Sequence, residues 1–168
     1  MVHGVPSSVT VHFRAFRGDH GGYALRMALK ASIASDIMTE NVESVREDDS
    51  LQTAAERLAQ HDVGALPVCD ERNHLKGIIT DRDIVVGAVA RGKDPAKTTV
   101  GEVETRSPIT VGPDEPVERV TEIMAQNQIR RLPVVENGEL VGMISQADVA
   151  QAVSARDSGI MLDQISSS

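Results

Sequence analysis

The chain repeats itself, and no other feature restricts its fold as sharply. Val63-Gly64-Ala65-Leu66-Pro67-Val68 returns 66 positions later as Ile129-Arg130-Arg131-Leu132-Pro133-Val134. Ahead of it, Asp36-Ile37-Met38 aligns with Glu102-Val103-Glu104, and Val45 with Val111. Leu51, Ala54 and Leu58 align with Val117, Val120 and Met124. Behind it, Gly77-Ile78-Ile79-Thr80-Asp81-Arg82-Asp83 returns as Gly142-Met143-Ile144-Ser145-Gln146-Ala147-Asp148 after 65 positions, so one residue is lost in the turn between.

Both copies read with the same elements. A short helical turn opens each, around Ser35–Met38 and Thr99–Val103, with Ser or Thr available as its N-cap. An extended stretch and a helix follow. Asp49 or Ser50 suits the start of the first helix, whose buried stripe is Leu51, Ala54, Ala55 and Leu58. Pro116 suits the first turn of the second, with Val117, Val120, Ile123 and Met124 facing inward. A strand ending in Leu-Pro-Val comes next. It turns at Asp70–Asn73 in one copy and at Asn137-Gly138 in the other, a strong hairpin signal. A second strand, Lys76–Thr80 or Leu140–Ser145, leads into a last helix. The order is β-α-β-β-α with a three-stranded sheet per half. A proline inside a strand cannot donate to a ladder, so Pro67 and Pro133 mark places where each sheet opens. Each half is too small to bury its own sheet face. The expected fold is therefore α/β (α+β), two repeats packed sheet to sheet with pseudo-twofold symmetry and a cleft on either side of the axis. The repeats occupy residues 31–92 and 99–155, joined by a linker over 93–98.

Composition removes several functions. A formal net charge of -8 disfavours nucleic acid as a partner. Phe13, Phe16 and Tyr23 are the only aromatics, so the repeats offer no ring on which a base could stack. No apolar run reaches the roughly 18 residues of a membrane span. Cys69 is the single cysteine, which excludes an intrachain disulfide and suits a reducing, cytoplasmic setting. It reads as a small buried hydrophobe. A zinc site from His61, Cys69 and His74 has no metal-binding spacing behind it, so no metal is expected. Nucleophile elbows, Walker loops and Gly-x-Gly-x-x-Gly are all missing, and Glu47-Asp48-Asp49 reads as a solvated turn, so no catalytic residue is expected.

The first thirty residues differ from the rest. They hold Arg14, Arg17, Arg26 and Lys30 against one acid, Asp19, with no secretory h-region. They read as a dispensable extension, with Met27 as the expected initiator. The tail 156–168 is too short and polar to form a domain, although Ile160, Met161, Leu162 and Ile165 suit docking on a helix.

Asp36-Ile37-Met38-Thr39, the paired Leu-Pro-Val and the paired Gly-hydrophobic-x-Thr/Ser-x-x-Asp occur in the order found in a cystathionine-β-synthase (CBS) domain pair, or Bateman module. The chain resembles that family from about Ala34 to Val153, and Thr80–Ile84 is especially similar to small stand-alone bacterial members. The resemblance implies regulatory clefts for an adenosine-containing ligand (AMP, ADP, ATP, NAD or S-adenosylmethionine), not a cofactor. It implies that Asp83 contacts the ribose hydroxyls and Thr80 the ribose or phosphate in one cleft, and that Asp148 and Ser145 do the same in the other. Val63, Gly64, Ala65 and Pro67, and Ile129, Arg130, Arg131 and Pro133, would line the base and phosphate regions. It also implies a homodimer and an unidentified protein partner.

The residue chemistry suits this reading. A carboxylate accepts from both vicinal ribose hydroxyls, and Arg82, Arg130 and Arg131 supply charge for phosphates. The same Thr/Ser-x-x-Asp spacing is also an ordinary capping arrangement that needs no ligand. Arg130 and Arg131 would equally pair with Glu118 or Glu122 on the surface. Two readings stay open: an adenosyl-ligand sensor acting by conformational shift, in which the Arg130-Arg131 cleft prefers the more phosphorylated ligand, and a ligand-free dimerisation or docking module with vestigial clefts.

Overall fold

A computed structural model of the protein describes residues 33–154. The expectations for the first thirty residues and for the tail lie outside them.

Local chemistry sets each element. Helix α1 (Ala34–Ile37) starts after Ile33, whose backbone N–H donates to Asp36 at 3.0 Å. Ser35 therefore sits inside the turn and does not cap it. Helix α2 (Leu51–Gln60) is capped by Ser50, whose Oγ accepts from the Thr53 N–H at 3.0 Å. Its stripe Leu51, Ala54 and Leu58 is buried. Strands β1 (Ala65–Cys69) and β2 (Leu75–Thr80) form an antiparallel hairpin that leads into α3 (Asp81–Gly87). A 3-10 turn at Val100–Glu102 and the short β3 (Thr105–Arg106) begin the second copy. Helix α4 (Val117–Asn127) begins one residue after Pro116, which stands at the N-cap and not in the first turn. Its carbonyl accepts the first helical bond, from Val120 at 3.0 Å. Strands β4 (Arg131–Glu136) and β5 (Glu139–Ser145) form the second hairpin, followed by α5 over residues 146–154. Asn137 and Gly138 both have positive φ, 51° and 89°, as a primed two-residue turn requires.

The opening strand of each copy is reduced to one parallel bridge, Val45 to Val68 and Val111 to Val134. The prolines explain its brevity. Pro67 O accepts from Val45 at 3.0 Å and Pro133 O from Val111 at 3.1 Å, while neither proline has an N–H to extend the ladder.

The third edge of each sheet comes from the other copy. β3 pairs with β2, Thr105 opposite Ile78. At the equivalent place Thr39 bridges Met143 of β5. The lead-in turns are exchanged as well. Ala34 N–H donates to Glu115 O at 2.8 Å, and Val100 N–H to Asp49 O at 2.9 Å. Ala34 accordingly lies in the core of Val111, Val120, Leu132 and Ile144, and Val100 in the core of Val45, Leu51, Leu66 and Ile79. The hairpin turns also meet reciprocally: Leu75 N–H donates to Gly138 O at 3.2 Å, and Leu140 N–H to Asn73 O at 3.0 Å. Every one of these contacts has its counterpart under the sequence repeat, which is the pseudo-twofold expressed as hydrogen bonds.

One pair of equivalents differs chemically. Met38 lies over Gly142, its Sδ 2.5 Å from where a Cβ would stand. Glu104 occupies the same space over Gly77. Its side chain is fully buried, and neither carboxylate oxygen has a hydrogen-bond partner among the described residues. Arg106 is 3.6 Å away and itself lies 3.2 Å from Glu47. Burial first, and then the Glu47 carboxylate, push the Glu104 pKa up, while Arg106 opposes them. The folded protein therefore holds this proton more tightly than the unfolded chain, and stability falls as pH rises from the ordinary value of 4.5 through the elevated one. Restoring the symmetric residue removes a buried unsatisfied group, so Glu104→Met is expected to stabilise the protein by about 1–3 kcal/mol at neutral pH. Urea unfolding at several pH values tests this: the variant should also lose that part of the pH slope, and an unchanged slope would contradict the assignment.

Candidate functional site

Two corners are equivalent by the repeat, each where a hairpin passes into a helix. In the first, Asp83 Oδ2 accepts from the Thr80 N–H at 2.9 Å and from its hydroxyl at 2.7 Å, while Thr80 Oγ1 accepts from the Asp83 N–H at 3.1 Å. In the second, Asp148 Oδ2 accepts from the Ser145 N–H at 2.7 Å, and Ser145 Oγ from the Asp148 N–H at 3.3 Å. Both are complete capping boxes. The same side chains are half-buried, and in each corner one carboxylate oxygen does all the capping. Capping and ligand binding therefore do not compete for the whole carboxylate.

The strand pleat divides the remaining candidates between two faces. Leu66 and Val68 point into the helix-packed core. Gly64 shares their side, and Ala65 and Pro67 point the other way. Gly64 and Val63 line an open cavity of about 490 Å³ on the helix side, with Leu58, Asp62, Asp81 and Ile84. Thr80 and Asp83 do not border it. In the second repeat the same alternation puts Arg130 on the helix side and Arg131 on the opposite face with Pro133. Pro67 and Pro133 are less than 2% exposed and serve as framework between strands. Ile129 is half-buried, and Arg82 and Arg130 are exposed. Glu122 is taken by Arg119 at 3.0 Å, and among the described residues no acid pairs with Arg130 or Arg131.

Residue reading missed the edge segments. Thr105 and Arg106 lie beside Ile78 and Gly77, just ahead of the Thr80 corner. Thr39 exchanges two backbone bonds with Met143, at 2.9 and 3.0 Å, just ahead of the Ser145 corner. Each corner thus has one wall from its own repeat and an edge from the other. Matching Thr39 with Thr105 in the repeat was the available signal, but an alignment does not say that equivalent residues have exchanged partners.

Cys69 is buried in β1, and burial pushes its thiol up to about 11, against a lowering hydrogen bond from Ser44. His74 turns to Asp70, with Nδ1 3.2 Å from Oδ2. Among the described residues no three His, Cys, Asp or Glu side chains gather around a common point.

The CBS domain family profile matches residues 34–88 and 100–155. Hypoxic response protein 1 of Mycobacterium tuberculosis is 39% identical over 118 residues, covering 70% of this chain and 82% of the relative. The CBS domain-containing protein YhcV of Bacillus subtilis is 40% identical over 136 residues, covering 80% and 96%. Hypoxic response protein I with two coordinated zinc ions superposes with a TM-score of 0.67 at 38% identity, over 71% of this chain and 98% of that one. CBSX2 in complex with AMP gives 0.66 at 25%, over 73% and 97%. The CBS domain pair of protein MJ0100 with 5′-methylthioadenosine and S-adenosyl-L-methionine gives 0.68 at 31%, over 75% and 98%.

The capping role is measurable without any ligand. Thr80→Ala and Ser145→Ala should each cost about 0.5–2 kcal/mol in urea unfolding, whereas Thr80→Ser should stay close to wild type.

Proposed function

The chain belongs to the CBS-domain family, and from that premise we propose that it is a non-catalytic regulatory module that binds an adenosine-containing ligand at the two corners. The observation that carries this reading is the composite build of each corner. A Thr/Ser-x-x-Asp turn from one repeat stands beside an edge segment from the other, Thr105–Arg106 or Thr39. A ligand seated there touches both repeats, so its binding energy favours one relative arrangement of them and changes the surface shown to a partner. Relatives solved with AMP and with S-adenosyl-L-methionine support the ligand class.

The roles follow from donor and acceptor chemistry. Asp83 and Asp148 accept from the ribose diol with the oxygen that is not capping. Thr80 and Ser145 hold those carboxylates in place. Arg131 brings a cation to the second corner's face where the first has Ala65, so the second corner takes the more highly phosphorylated ligand. Arg130, on the helix side, is not part of this pocket. We further propose that the module works as a homodimer. No helix among the described residues is long and apolar enough to cross a membrane.

The completeness of both capping boxes favours one rival, a docking module without ligand. A thermal-shift screen with AMP, ATP, NAD and S-adenosylmethionine separates the two. At least one ligand should raise the melting temperature of the wild type and fail to do so for the Asp83→Ala, Asp148→Ala double variant. A flat response across all four would favour docking. Arg131→Ala should weaken ATP binding about tenfold, the scale of one charge-assisted hydrogen bond, with a smaller effect on AMP. Unchanged ATP affinity in a calorimetric titration would remove Arg131 from the phosphate site.

A further inference from the structure

The corner at Thr80 has a buried acid directly behind its edge segment, and its twin has none. Thr105 stands opposite Ile78, so its side chain shares the face of Thr80, two residues further along β2. Its chain neighbours Glu104 and Arg106 turn to the helix-packed face, where Glu104 lies over Gly77. The Thr105 carbonyl oxygen presses on the same glycine, 2.9 Å from where a Cβ would stand. The carboxyl and the edge backbone are therefore packed as one unit. Two charged groups face Glu104: Glu47, from the turn ahead of α2, and Arg106 of β3. Arg106 is shared, 3.2 Å from Glu47 and 3.2 Å from the Gly101 carbonyl, against 3.6 Å from Glu104. Glu102 of the lead-in turn is taken by Lys93 at 2.9 Å, and Lys76 of β2 by Asp70 at 3.1 Å. At the equivalent place over Gly142, Met38 has no charge to gain or lose.

We propose that Glu104 is a proton-operated latch on the edge segment of the first corner. Protonated, it stays seated on Gly77 and holds Thr105–Arg106 against β2. Ionised, it turns out to water and takes the edge with it. A buried carboxylate whose oxygens have no hydrogen-bond partner among the described residues is costly to keep. Moving the edge is the cheaper response, since β3 is two residues long and both are exposed. While the edge is closed, burial holds the Glu104 proton above the ordinary value of 4.5. The edge therefore opens more often as the pH rises from 4.5 through the elevated value. A ligand that needs Thr105 beside Thr80 is then bound more weakly as the pH rises, at this corner alone. That consequence rests on the ligand reading above, whereas the latch itself does not.

Amide hydrogen exchange of the ligand-free full chain tests the latch. The reporters are Ser107, whose N–H donates to Lys76 O at 3.3 Å on the Glu104 edge, and Thr39, whose N–H donates to Met143 O at 2.9 Å on the Met38 edge. Over that pH range the protection of Ser107, corrected for the intrinsic pH dependence of exchange, should fall by up to about tenfold per pH unit. That of Thr39 should stay level. Glu104→Met should make Ser107 level too, with circular dichroism confirming that the variant is folded. A level Ser107 in the wild type overturns the latch. So does an equal fall at both edges, which means that the whole seam opens at once. The coupling to ligand is read from AMP titrations of Asp148→Ala, which leaves the first corner, with and without Glu104→Met. This comparison cancels the titration of the phosphate itself. Affinity should fall with pH only where Glu104 is present, and equal pH dependence in the two overturns the coupling. No AMP binding by either overturns the ligand reading, while the exchange data decide the latch on their own.

Discussion

A two-stranded hairpin with one short helix on each side leaves a sheet edge and part of its apolar face uncovered. This chain covers both by exchange. The lead-in turn of each repeat is hydrogen-bonded to the other repeat, Ala34 to Glu115 and Val100 to Asp49, and each supplies a fully buried side chain to the other's core. Neither core is complete without a residue from the other copy. The remaining architecture depends on this reciprocity, including the meeting of the hairpin turns at residues 73–75 and 138–140.

Exchange also explains why the candidate sites lie between repeats. The segment that leaves a borrowed turn continues along the edge of the borrowed sheet, beside the strand that ends in Thr80 or Ser145. A ligand at the corner therefore bears on the same contacts that hold the repeats together. Glu104 shows how much that seam tolerates. Its methionine counterpart fills the glycine-lined space with an apolar side chain, whereas Glu104 fills it with a carboxyl that only Arg106 approaches among the described cations. Divergence has thus reached the inner seam as well as the outer surface, where Gly64 and Arg130 differ.

Much of this was legible in the residues. The hairpin signal at Asn137-Gly138 and the buried stripe of each long helix follow from local physics that tertiary structure does not reverse. The capping boxes were legible for the same reason, since Thr80 and Asp83 are only three residues apart. What was not legible is non-local. Nothing in Asp36–Thr39 or Thr99–Thr105 says which sheet those residues join, and the repeat alignment is equally consistent with each copy keeping its own. Arg130 and Arg131 are neighbours in sequence, and the pleat turns them toward opposite faces of the hairpin. The opening strands were overread because Val45 and Val111 have the right character for a strand, while the opposing prolines limit each to a single bridge.

The central claim is that a capping corner of one repeat and an edge segment of the other form one binding site. Amide chemical-shift mapping during an AMP titration tests it most directly. The account predicts concerted shifts at Asp81–Asp83 with Thr105–Arg106, or at Gln146–Asp148 with Thr39, in the same titration. Shifts confined to the helix-side cavity around Leu58 and Ile84, or to one repeat alone, would contradict it.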